Sequence, residues 1–113
     1  MDYLIQQLKG IVLGHLLEFQ ISYAKAKLLA TNNDLLDLKF KLLVLLGDCY
    51  FIIKLYEESE DKKKEILSRI KDIENTVIEL GLISDSLKEM EDIYDEIIKV
   101  LDIYLFSKET KEV

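Results

Sequence analysis

The chain has 113 residues and a net charge of −7, with half of its residues apolar and a third charged. That length suits one domain with a core of its own, and that composition excludes a disordered segment. An acidic balance is the wrong sign for a general nucleic-acid binder, which must neutralise phosphates, and a single cysteine, Cys49, excludes an internal disulfide framework.

There is no proline, and there are only four glycines. A β-rich domain of this size would need many more turn residues, so a few long helices are expected. The first ten residues, MDYLIQQLKG, lack a basic segment followed by an apolar one. No signal peptide is therefore expected, and the reading is of a cytoplasmic protein.

Helix 1 is expected over residues 3–30. At 100° per residue it carries two apolar stripes. The first holds Ile5, Leu8, Val12, Leu16, Phe19, Tyr23 and Ala26; the second holds Leu13, Leu17, Ile21, Ala24 and Leu28, with Gly10 and Gly14 on the same side. Near its start, QQLKGIVLG (Gln6 to Gly14) is similar to the His-x-Leu-Lys-Gly stretch of histidine phosphotransfer domains, which are also four-helix bundles. Gln6 stands where their phosphorylated histidine would be, so the resemblance implies no phosphotransfer and assigns no family.

The polar cluster TNND ends helix 1, with Asn33 or Asp34 expected to cap helix 2, residues 35–58. One stripe of helix 2 holds Leu35, Leu38, Leu42, Leu45, Cys49, Ile52 and Tyr56. Leu36, Phe40, Leu43, Val44, Tyr50 and Phe51 carry the apolar arc far round the cylinder, leaving a narrow polar strip through Asp37, Lys41 and Asp48. The polar run EESEDKKK places a turn near Ser59.

Helix 3, residues 61–80, has a single stripe of Ile66, Ile70, Ile73, Val77 and Leu80, and Gly81 is expected to end it in a left-handed conformation. Ser86 and Glu89 have the spacing of a capping box for helix 4, which runs to about residue 106 with Leu87, Met90, Tyr94, Ile97, Leu101 and Tyr104 on one stripe. Residues 107–113, SKETKEV, read as a frayed polar tail on a single domain spanning 1–106. Short connections favour antiparallel neighbours, so the expected fold is an all-α, up-down-up-down four-helix bundle.

A helix in such a bundle buries one stripe, and helices 1 and 2 present nearly two each. A membrane span needs about 20 predominantly apolar residues. Lys41, Asp48 and Lys54 interrupt KLLVLLGDCYFIIKLY, and His15 and Glu18 interrupt helix 1, so no transmembrane segment is expected. The second stripes are instead expected to form a homodimer or higher oligomer through Gly10, Leu13, Gly14, Leu17, Ile21, Phe40, Leu43 and Phe51.

Chemistry-bearing residues are few. His15, the single histidine, has Glu18 one turn on, and a hydrogen-bonded histidine is expected there in preference to an acid–base pair. Cys49 falls on the inner stripe of helix 2, away from anything that would lower its pKa. The chain has no Glu-x-x-His motif, phosphate loop or Ser-His-Asp arrangement. No catalytic, metal or cofactor residue is assigned, and a non-enzymatic protein is expected.

Charge is uneven: residues 1–58 carry a net −1 and residues 59–113 a net −6. On helix 4, Asp85, Glu89, Asp92, Asp95 and Glu96 form an acidic face suited to a basic protein partner, or simply to keeping the chain in solution. Lys25, Lys27, Lys39 and Lys41 flank the first turn and Lys62, Lys63 and Lys64 the second, at opposite ends of an up-down bundle. Contact with nucleic-acid phosphates through these lysines is the alternative reading, and peripheral membrane binding through the second stripes is another. The leading expectation is an adaptor, assembly or inhibitor-type interaction protein, of the kind found among accessory proteins of viruses and mobile elements.

Overall fold

Two residues, Ala30 and Thr31, separate the first two helices of the computed structural model, which describes residues 2–107. The helices are α1 (Asp2–Leu29), α2 (Asn32–Tyr56), α3 (Glu60–Glu79) and α4 (Ser86–Leu101), the last continued by a π-helical turn, Asp102–Phe106. No strand occurs among the described residues, and the four helices pack as an all-α bundle. Of the expected tail, 108–113 lie outside the described residues.

Each junction has its own polar solution. The Ala30 N–H donates to the Ala26 carbonyl at 2.8 Å while its φ is 49°, so an alanine takes the left-handed position that usually goes to glycine. Thr31, earlier than the expected Asn33 or Asp34, caps α2: its Oγ1 accepts the Asp34 N–H at 3.1 Å. Ser59 caps α3 by accepting the Lys62 N–H at 3.3 Å, at the turn the polar run marks.

Two expectations at the third junction are corrected. No glycine has a positive φ, Gly81 included; α3 ends on Leu80 in extended conformation. The last carbonyls of α3 are served by a side chain instead, because Lys39 Nζ donates to Ile78 O at 2.8 Å and Leu80 O at 2.7 Å. Ser86 and Glu89 make no capping box. Ser86 is buried and its hydroxyl donates to the Gly81 carbonyl at 2.7 Å, so it ties the loop rather than the helix start.

Helix α2 is the centre of the core. Leu35, Leu38, Leu42, Leu45, Leu46, Cys49, Ile52 and Ile53 are essentially sealed from solvent. They meet Val12, Leu16, Phe19 and Ala26 of α1, Ile70 and Val77 of α3, and Met90, Ile97, Leu101 and Leu105 from α4 and the π turn. Helix α2 packs against all three others, whereas α3 and α4 scarcely touch. The polar strip of α2 faces α1, its Lys39 and Tyr50 edge faces α3, and its central leucines face α4.

Helices α1, α2 and α3 therefore form a layer, with α4 laid across one side of it. The molecule measures 43 × 28 × 16 Å. With helix axes packing about 8–10 Å apart, the short dimension holds two helix layers and no third. Helix α4 leans towards α1: the Phe19 and Tyr94 rings stack with centroids 4.3 Å apart, and Tyr23 donates to Glu91 at 3.0 Å. The side of the layer away from α4 is left open.

Candidate functional site

On that open side the second stripes of α1 and α2 emerge. Leu13, Leu17, Ile21 and Leu28 of α1 lie opposite the buried Val12, Phe19 and Ala26, and each is more than half exposed. Leu36, Phe40 and Phe51 of α2 lie opposite Leu38, Leu45 and Cys49 and are likewise more than half exposed. Of the eight residues expected at an interface, Gly10, Leu13, Gly14, Leu17, Ile21, Phe40 and Phe51 are exposed. Leu43 is the exception: it is half-buried and packs against the core, because its position on α2 turns it towards α3.

The glycines sharpen the picture. A Cβ built on Gly10, Gly14 or Gly47 would meet nothing within 4 Å. A glycine inside a helix costs roughly 1 kcal/mol relative to alanine. Nothing within the chain requires these three to be small, and all three lie on the exposed face.

Polar cross-ties fix α1 on α2 along the border of this face. His15 Nδ1 and Asp48 Oδ2 are 2.6 Å apart, so the partner of the histidine comes from α2 and is not Glu18. Ser22 donates to Asp37 at 2.8 Å, and Lys41 Nζ donates to Ser22 at 3.0 Å and to Asp37 at 3.3 Å. Burial raises the Asp48 carboxyl above its usual range, with the His15 contact acting against it. Asp37 moves the other way, held low by the Ser22 hydroxyl with help from Lys41.

Burial, with the Asp48 charge beside it, pushes the Cys49 thiol up to about 12, which keeps it protonated. Among the described residues no three His, Cys, Asp or Glu side chains cluster as metal ligands would, and no helix is long and apolar enough to cross a membrane.

The acidic face of α4 stands as a surface: Asp85, Glu89, Asp92, Asp95 and Glu96 are all exposed. Asp92 is paired with Lys88 at 3.0 Å, and Glu91 turns inward to Tyr23. Among the turn lysines, Lys39 caps α3 and Lys41 joins the α1–α2 cross-tie, so both are committed inside the fold.

The space between α3 and α4 is a feature that no sequence pattern announces. Because α4 leans away, a groove of about 470 Å³ opens there, floored by Leu46 and Cys49. Two clean single stripes predict that both helices pack, and periodicity carries no information about the gap left between them.

No protein-family model matches the chain, and neither a curated protein nor a solved structure is similar to it. The surfaces are the ground for a functional reading.

Proposed function

We propose that the protein is a non-enzymatic interaction module that self-associates through the outer faces of α1 and α2 and acts by occupying or assembling a partner's surface. The observation that carries this reading is the coincidence of exposed leucines and phenylalanines with three unforced glycines on one side of the molecule. Exposed contiguous apolar surface marks interaction sites, and glycines on such a face let two helices approach closely. A second copy is the favoured occupant because the half of the chain that carries the face is almost neutral, at −1 for residues 1–58. Two such faces can meet without the repulsion that two α4 surfaces would meet.

The α4 acids would then point outward on the assembled oligomer, available to a basic protein partner. Light scattering on a sizing column tests the first step. The expected result is a dimer or larger at low micromolar concentration, and a monomer of unchanged helicity for Leu17→Glu. A monomeric native chain, or a Leu17→Glu variant that associates as before, overturns it.

A further inference from the structure

The groove between α3 and α4 lies on the other side of the molecule from the α1–α2 face, and its chemistry is different. Its walls are aliphatic: Ile66, Ile70 and Ile73 from α3, and Ile93, Ile97, Val100 and Ile103 from α4 and the π turn. Tyr104 closes one end, held there by donating to Glu57 at 2.6 Å. The rim carries Lys62, Arg69, Lys99 and one acid, Glu96; Lys62 lies 3.9 Å from Glu57 at the Tyr104 end, which leaves Arg69 and Lys99 as the cations facing a ligand.

That sign runs against the setting. Residues 59–113 have a net charge of −6, yet three of their cations border this one groove. Arg69 is the single arginine of the chain and is exposed at the groove edge. Arginine is the side chain best shaped to grip a carboxylate through two parallel hydrogen bonds. Where Ile103 and Tyr104 meet the groove, the helix is wound as a π turn, a distortion that recurs at functional sites.

We propose that this groove binds a single-chain aliphatic carboxylate, with the chain along the isoleucine walls and the headgroup at the Arg69 and Lys99 rim. Size supports one chain and not two. A volume of 470 Å³ lies within the usual range for small-ligand pockets and, at the ~30 Å³ a water-sized group occupies in a liquid, holds on the order of fifteen non-hydrogen atoms. Dodecanoate matches that capacity; a two-chain lipid exceeds it. The lining also suits an alkyl chain, since β-branched side chains make stiff, smooth walls and offer little for a polar ligand to bond.

The exposed α1–α2 face would also attract an amphiphile, so the test must resolve the two sites. Isoleucine δ-methyl resonances do so: Ile66, Ile70, Ile73, Ile93, Ile97 and Ile103 report on the groove, and Ile11 and Ile21 report on the exposed side of α1. Dodecanoate is titrated into the full chain below its micelle concentration, alongside dodecyl trimethylammonium and dodecyl maltoside. The expected result is saturable movement of the groove methyls with dodecanoate, while Ile11 and Ile21 stay still, and clearly weaker response to the cationic and neutral amphiphiles.

Arg69→Ala should weaken dodecanoate about two- to fivefold, as loss of an exposed charge contact would. Ile103→Glu, at an exposed position on the groove edge, should weaken it about tenfold or more by setting a carboxylate against the ligand. Neither change removes a core side chain. Unmoved groove methyls overturn the proposal, and so does equal response to all three headgroups or movement at Ile11 and Ile21 alone.

Discussion

Ala30 holds a left-handed backbone that a β-carbon disfavours, while Gly81, the residue expected there, does not use one. The two positions make a paired prediction. Ala30→Gly should raise unfolding stability by about 0.5–1 kcal/mol, because relief of the left-handed strain exceeds the extra entropy of glycine in the unfolded chain. Gly81→Ala should also stabilise, by about 0.4–1 kcal/mol, since its φ is not positive and an added Cβ would meet only Ile83 Cγ1 at an ordinary 3.8 Å. Urea unfolding of both variants decides it, and loss of stability in Gly81→Ala would contradict the observed end of α3. Asp37 supplies a pH test at the same scale. Its carboxyl is held below its ordinary 3.8, so its contribution is present above that value and is lost as pH falls through the lower folded-state value. At this half-exposed pair the gain over Asp37→Asn should be about 0.5 kcal/mol near neutrality and should fade in that acid window. A difference that grows on acidification would mean that the Ser22 and Lys41 contacts do not favour the charged form.

Among the elements, α1 concentrates the functional question, because its glycines cost helix stability without an internal reason. Gly14→Ala should therefore make the isolated chain more stable by up to about 1 kcal/mol while weakening self-association. Thermal unfolding at high dilution and light scattering at higher concentration read the two effects separately. A variant that is both more stable and equally associated would show that Gly14 serves no close approach. The α1 and α2 stripes were legible before the fold, since a second run of Leu13, Leu17 and Ile21 has nowhere to go in a one-stripe helix. The stripes of α3 and α4 were equally legible, and their residues are buried or half-buried as the spacing requires. What periodicity does not encode is which neighbour each flank meets. Leu43 turns towards α3, Asp48 rather than Glu18 reaches His15, and Lys39, which reads as a surface lysine, caps α3 from 39 residues away in sequence. The capping box at Ser86 failed for a related reason: a loop carbonyl competes for the same hydroxyl. The groove between α3 and α4 depends on the lean of one helix towards α1, where Tyr94 stacks on Phe19, and no local pattern announces it.

At the scale of the molecule, charge and apolar surface are segregated on a flat body 16 Å thick in its short dimension. The near-neutral half offers the apolar face, and the half bearing −6 carries the α4 acids and the groove. This arrangement predicts how association should respond to salt. If copies meet through α1 and α2, the contact buries apolar groups, and added salt only screens the diffuse repulsion between two chains of −7. Between about 0.05 and 0.5 M salt, where the screening length shrinks severalfold, the midpoint concentration for association should shift by less than about threefold. Cooling should loosen the assembly, because apolar burial weakens at low temperature. Interfaces built from the α4 faces would behave differently, since they bring like charges together and would tighten by more than about tenfold over the same range. Phe51→Lys separates the two cases at fixed salt. It adds a charge to the exposed side of α2 and leaves α4 untouched, so it should abolish association only if that side is the interface.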